Sequence, residues 1–315
     1  MRILIELPSW LGDSVMATPA IKNLLNYYDD SEVILIGSSL SIEVFKNNDK
    51  IFHSQVIDKS YLSLYKISRK LGTFDAFFSF RRTYRSKFLK LLILSKRKFQ
   101  FNRKKYQNFH LVEKYNKFIN ESLKTNFKAG NLNINSNYKS YNKSSFPIIG
   151  INPGAKYGTA KIWYPEEYAK VAIELSSQYK ILIFGSLNEK KIANEIESLL
   201  IKKGVSNYEN LAGKTSISQL INIISSIDLF ITGDSGPMHL AASFQIPSIT
   251  IFGPTIDTET SQWMNKKSVV VKKNLDCQPC MQRVCPLKHH NCMKLIKAND
   301  ILNAIDSLNL GNKAS

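Results

Sequence analysis

The chain has 315 residues, of which 43% are apolar, and carries 43 Lys and Arg against 25 Asp and Glu. That length predicts two domains of about 150 residues each, and a net charge of +18 implies an anionic partner: nucleic acid, phospholipid headgroups or a phosphorylated substrate. A bilayer-spanning segment is excluded, because the longest apolar runs, 89–94 and 244–252, fall well short of ~20 residues; a secretory signal is disfavoured, because Glu6 and Pro8 interrupt the opening apolar stretch before it reaches ~7 residues.

In chain order, short β-branched or aromatic runs at 3–7, 33–37, 52–57 and 74–80 predict strands. Helical patterns fall at 15–28, 41–47, 61–71, 87–95 and 111–123, an alternation that specifies a parallel sheet with crossover helices. Residues 126–146 are rich in Asn, Ser, Lys and Tyr and lack an apolar period, which predicts an interdomain connection. The alternation then restarts, with strands at 148–152, 181–184, 229–232 and 248–252 and helices at 165–177, 189–202, 217–227, 238–243 and 299–308. The expected architecture is α/β, with domains 1–145 and 146–315 and ligands held in a cleft at the carboxyl ends of the strands.

No strand is followed by G-x-G-x-x-G or by a P-loop, so dehydrogenases and P-loop kinases are demoted. Each half instead has its own turn of Gly, a carboxylate and small polar residues. The first is Pro8-Ser9-Trp10-Leu11-Gly12-Asp13-Ser14. Asp13 or Ser14 there is either a helix N-cap or, for Asp13, a general base beside an acceptor hydroxyl. In the second half, Gly233-Asp234-Ser235-Gly236-Pro237-Met238-His239 opens a helix whose N-terminal N–H groups suit a diphosphate. An ordinary capped turn explains Gly236 and Pro237 but leaves Asp234 and His239 without a role. A third turn, Asn152-Pro153-Gly154-Ala155-Lys156-Tyr157-Gly158-Thr159-Ala160-Lys161, offers two lysines for phosphate charge.

These residues resemble the lipopolysaccharide heptosyltransferases of glycosyltransferase family 9 over nearly the whole chain. The specific pieces are Pro8-Ser9-Trp10-Leu11-Gly12-Asp13, Asn152-Pro153-Gly154-Ala155, Lys161-Ile162-Trp163-Tyr164-Pro165, Phe184-Gly185-Ser186, Leu211-Ala212-Gly213, Asp234-Ser235-Gly236-Pro237-Met238-His239 and Phe252-Gly253-Pro254-Thr255. The Trp10 turn looks like that of the members adding the second heptose rather than the first. The resemblance implies a GT-B fold of two Rossmann-like domains and inverting transfer of heptose from ADP-heptose to the first heptose of the inner core, with no cofactor needed for transfer. By position it implies Asp13 as base and Lys161 as the residue neutralising the leaving diphosphate. The donor would be bound by Lys156, Glu189 at the ribose, Thr215 near adenine, and Asp234, Ser235, Gly236, Met238 and His239. The acceptor, an anionic lipid A-core glycolipid, would be met by Ser9, Trp10, Gly12, Arg81, Arg82 and Arg85. A relative with another donor or acceptor is the alternative within the family.

Residues 76–112 contain no Asp or Glu but eleven Lys and Arg, interleaved with Tyr84, Phe88, Leu91, Leu92, Phe99, Phe101 and Tyr106. Such a run is commonly a solvated face. Its apolar content fits a cytoplasmic protein docked peripherally on the inner membrane. A non-catalytic module binding RNA or membrane is the competitor, but no nucleic-acid-binding motif accompanies the charge, and no nucleic-acid partner is expected. Finally, Cys277, Cys280, Cys285 and Cys292, with His289 and His290 nearby, have the spacing of a structural zinc knuckle. Reduced thiols packing a loop are the alternative.

Overall fold

The computed structural model describes residues 1–58, 60–134 and 146–308. Two compact units, Met1–Asn137 and Tyr138–Ser315, make up the chain.

In the first unit the order is β1 (Arg2–Glu6), α1 (Leu11–Met16), α2 (Thr18–Tyr27), β2 (Glu32–Gly37), α3 (Ser39–Phe45), β3 (His53–Val56), α4 (Tyr61–Leu71), β4 (Thr73–Ser79), α5 (Tyr84–Leu92), β5 (Leu94–Gln100) and α6 (Leu111–Leu123). The strands pair in parallel in the order β3-β2-β1-β4-β5. Because helices cover the sheet, its central strands are apolar on both faces: Ile3, Leu4 and Ile5 of β1 and Phe77 and Phe78 of β4 are fully buried. The chain leaves β1 towards β2 and β3, then returns to place β4 on the other side. The switch point therefore lies between the carboxyl ends of β1 and β4, where open α/β sheets bind ligands.

The second unit contains β6 (Ile148–Asn152), α7 (Pro165–Leu175), β7 (Lys180–Ile183), α8 (Lys190–Lys202), β8 (Tyr208–Asn210), α9 (Ile217–Ile224), β9 (Leu229–Gly233), α10 (Gly236–Ser243), β10 (Ser248–Ile251), α11 (Asp257–Thr260), β11 (Ser268–Val271), α12 (Asn291–Lys294) and α13 (Ala298–Ser307). Its parallel order is β11-β10-β9-β6-β7-β8, which places the switch between β6 and β9. Close packing there depends on Gly150, where a Cβ would sit 2.7–2.8 Å from Phe230, Ile227 and Phe184. Trp163 is fully buried and donates from Nε1 to Ile296 O at 3.0 Å, anchoring the segment that carries Lys161.

Several expectations are corrected. The single helix at 15–28 is two helices divided at Ala17, and the helix at 87–95 ends at Leu92, after which the basic stretch continues as strand β5. Part of the supposed connection is packed: Asn116 Nδ2 donates to Phe127 O at 2.7 Å, Asn23 Nδ2 to Lys128 O at 3.0 Å and Asn133 N to Thr18 Oγ1 at 3.0 Å, with Leu132 and Ile134 buried. Residues 126–134 thus strap the first unit, while 135–145 lie outside the described residues.

Candidate active site

In the first unit, the turn after β1 is fixed by hydroxyls. Ser38 Oγ donates to Ser9 O at 3.2 Å, Ser14 Oγ to Trp10 O at 2.9 Å, and Ser41 Oγ to Pro8 O. Trp10 is the N-cap of α1 and supplies no capping side chain. Neither Asp13 nor Ser14 is therefore the cap, contrary to the simpler sequence alternative. Asp13 stands half-buried in the first turn of α1, near the positive end of the helix dipole. Its charge reaches Tyr115 on α6: the phenol is held well above its ordinary pKa, chiefly by burial and next by Asp13. Ser9 is half-buried, Gly12 buried and Trp10 exposed, so an aromatic surface lies three residues from the carboxylate.

The three arginines after β4 diverge. Arg81 Nη1 lies 3.6 Å from Glu6 Oε1, whereas Arg82 Nη1 donates to Asn102 Oδ1 at 2.6 Å and Arg85 Nη2 donates to Asp58 O. The structure therefore brings Arg81 directly to a buried carboxylate that sequence reasoning had treated only as a break in an apolar run. Burial raises the Glu6 pKa, and Ser79, Arg81, Ser86 and Arg85 each oppose that rise.

At the switch point of the second unit, three turns converge. Asn152 Nδ2 donates to Thr232 Oγ1 at 3.3 Å and to Ser235 Oγ at 3.2 Å, tying the end of β6 to the end of β9. Lys161 Nζ forms an ion pair with Asp234 Oδ2 and donates to Asp234 O at 3.3 Å. Thr255 Oγ1 donates to the same carboxylate oxygen at 2.6 Å. The ammonium also lies 4.7 Å from the centre of the Tyr157 ring, with the Arg283 guanidinium 5.5 Å from that centre. An oriented cation beside an ionised partner, at the mouth of a parallel sheet, is suited to stabilising a diphosphate as it departs.

The other donor candidates distribute around this point. Lys156 is exposed, and Ser235 and Thr215 are half-buried. Gly236 opens α10, an eight-residue helix with Pro237 in its first turn. Met238 and His239 are buried, so their side chains do not line an open surface; what this turn presents is backbone N–H. Glu189 Oε2 accepts from Ser186 N at 2.7 Å, and its side chain occupies the space that a Cβ on Gly154 would need. Sequence reasoning missed Asn152, Thr255, Tyr157 and Arg283, although the first three lie inside motifs it had singled out.

The cysteine-rich loop braces this site. Tyr157 OH donates to Met281 O at 2.7 Å, Ala160 N to Arg283 O at 3.0 Å and His290 Nε2 to Ala160 O at 2.9 Å. Among the described residues no group of three or more His, Cys, Asp or Glu is placed to hold a metal ion, so the zinc-knuckle expectation has no coordinating geometry behind it. The four cysteines are free thiols, with Cys292 buried. Burial first, and the neighbouring Cys280, Cys285 and Cys277 next, push the Cys292 thiol up to about 11. Only about one part in a thousand would be thiolate at pH 8, and thiolate is the reactive form. We expect alkylation of native protein at pH 8, mapped by mass spectrometry, to label the half-buried Cys277, Cys280 and Cys285 faster than the buried Cys292; equal labelling would contradict the placement of Cys292.

The family model of glycosyltransferase family 9 (heptosyltransferase) matches residues 79–291, and the chain belongs to that family; it is a glycosyltransferase. It is 39% identical, over 98% of both chains, to lipooligosaccharide heptosyltransferase 2 of Campylobacter jejuni. Among solved structures, it is similar to E. coli ADP-heptose LPS heptosyltransferase II, with a TM-score of 0.77 and 20% identity over all of both chains. A family 9 glycosyltransferase from Veillonella parvula gives a TM-score of 0.82 at 19% identity, covering 98% of this chain and 96% of that one. These structural likenesses establish the GT-B fold, two parallel-sheet Rossmann-like domains.

Proposed function

We propose that the chain is an inverting transferase that moves heptose from ADP-heptose onto the first heptose of a lipopolysaccharide or lipooligosaccharide inner core. The observation carrying this reading is the full-length identity to a heptosyltransferase 2. The Lys161–Asp234–Thr255 constellation supports it chemically. In the proposed reaction the acceptor hydroxyl oxygen attacks the anomeric carbon, the bond to ADP breaks with its electron pair leaving on the diphosphate, and Asp13 takes the hydroxyl proton. Lys161, with Lys156 and the first-turn N–H groups of α10, stabilises the departing charge. Glu189 holds the ribose, Thr215 lies near the adenine, and Asp234, Ser235 and His239 shape the remainder of the donor site. Ser9, Trp10, Gly12, Arg81, Arg82 and Arg85 meet the anionic acceptor.

Docking on the cytoplasmic face of the inner membrane belongs to the same proposal. Among the described residues no helix is long and apolar enough to cross a membrane. On α5, Tyr84 and Leu91 are 85% and 78% exposed, and their spacing of seven places them on one helical face. Lys87, exposed between them, adds the charge that an anionic lipid surface attracts.

Incubation with ADP-heptose and a series of truncated lipopolysaccharide acceptors, with product masses measured, tests the assignment. One added heptose is expected only on the acceptor already bearing the first. Addition to the acceptor that lacks it, or to neither, would overturn the proposal.

A further inference from the structure

A fully buried carboxylate ends β1. Glu6 is 0% exposed and follows the aliphatic residues Ile3, Leu4 and Ile5. Separate elements hold its two oxygens. Ser79 Oγ, at the end of β4, donates to Oε2 at 2.6 Å; Ser86 Oγ, in the first turn of α5, donates to Oε1 at 3.0 Å. Arg81 Nη1 approaches the same Oε1 at 3.6 Å. The backbone fixes the site as well, since Glu6 is paired with Ser79 in the β1–β4 ladder and Phe80 N donates to Glu6 O at 2.9 Å.

Stability alone gives little reason for an ionisable residue here. Burying an ion pair commonly gains nothing over packing an apolar residue of the same size. The arrangement does, however, bring a guanidinium to a defined partner. Arg81 retains 16% side-chain exposure, so one guanidinium nitrogen lies at ion-pair distance from Glu6 while part of the side chain stays open just beyond the carboxyl end of β4, beside the switch point of the sheet. A guanidinium held in one orientation is suited to planar, bidentate recognition of a carboxylate or phosphate. Ser86 and Arg85 in the first turn of α5 extend the same polar cluster.

We infer that Glu6 is a positioning residue: it orients Arg81 to read an anionic group, carboxylate or phosphate, on the acceptor. This rests on the assignment of the acceptor to Arg81 under the proposed function, and the test keeps the two separable. Acceptor KM, kcat and donor affinity are measured for Arg81→Ala, Glu6→Gln and the double variant. Arg81→Ala is expected to raise acceptor KM about 10-fold or more. Glu6→Gln should raise it about 3- to 10-fold, with kcat and donor affinity changing less than about two-fold, and should add nothing in the Arg81→Ala background. Ser86→Ala removes the hydroxyl on the oxygen that Arg81 approaches; it should shift acceptor KM less, in the same direction, and it replaces Glu6→Gln should that variant not fold.

Two modified acceptors distinguish the sources of charge, one dephosphorylated and one with its carboxylates reduced to alcohols. The variant effects should vanish on whichever lacks the group that Arg81 reads, and persistence on both would overturn the inference. An unchanged KM in Arg81→Ala would remove the acceptor assignment itself. A raised KM in Arg81→Ala with an independent, additive effect of Glu6→Gln, or joint loss of kcat and donor affinity in Glu6→Gln, would overturn the positioning role while leaving the acceptor assignment standing.

Discussion

Lys161→Ala is expected to lower kcat for sugar transfer by about 100- to 1000-fold, the cost of removing one preorganised donor to a developing negative charge. The Lys161 side chain is 10% exposed and that of its partner Asp234 8%, so water does not readily replace the ammonium. The same substitution leaves Asp234 nearly buried without its cation. Removing one member of a buried pair costs ~3–5 kcal/mol, and the donation from Thr255 Oγ1 to Asp234 should hold the loss at or below the lower end of that range. These two effects separate in the double variant Lys161→Ala/Asp234→Asn. With neither charge present, thermal stability should recover towards the unsubstituted protein while turnover stays lost. Recovery of turnover along with stability would mean that Lys161 only stabilises the fold.

Asp13→Asn should lower kcat by about 100- to 10,000-fold, the range for losing a positioned general base. The substitution keeps the shape of the side chain in the first turn of α1, and the N-cap is untouched because Trp10 occupies it. Circular dichroism and unfolding temperature should therefore change little. If Asp13 were instead a nucleophile, a glycosyl-enzyme would accumulate and the product would keep the anomeric configuration of the donor. A base acting in a single displacement predicts inverted configuration and no covalent adduct.

How much of this was legible in the sequence differed by element. Central strands such as β1, with Ile3, Leu4 and Ile5, and β9, with Leu229, Phe230 and Ile231, are buried on both faces and so read as continuous apolar runs. The three strands that escaped notice, β5, β8 and β11, all lie at sheet edges. There one side is unpaired, and β5 carries Lys96, Arg97 and Lys98, charges that protect an edge but resemble a solvated face in sequence. In the candidate site, turns built from Gly, Pro and Asp were visible because turn chemistry is local. The donation from Thr255 to Asp234 spans 21 residues, and that from Ser79 to Glu6 spans 73. No periodicity or spacing marks such partners, since only the stacking of parallel strands brings their carboxyl ends together. The cysteine loop shows the converse. Its spacing pointed to a metal, whereas its backbone contacts make it a brace for the Lys161 turn.

The most direct test of the division of labour between the two units is calorimetric titration of ADP-heptose into Asp13→Asn and Lys161→Ala, with turnover measured on the same preparations. Asp13→Asn should bind the donor as tightly as the unsubstituted protein and fail to turn over, whereas Lys161→Ala should lose donor affinity and turnover together. Donor affinity lost in Asp13→Asn, or turnover preserved in it, would contradict the assignment of base to one unit and diphosphate to the other.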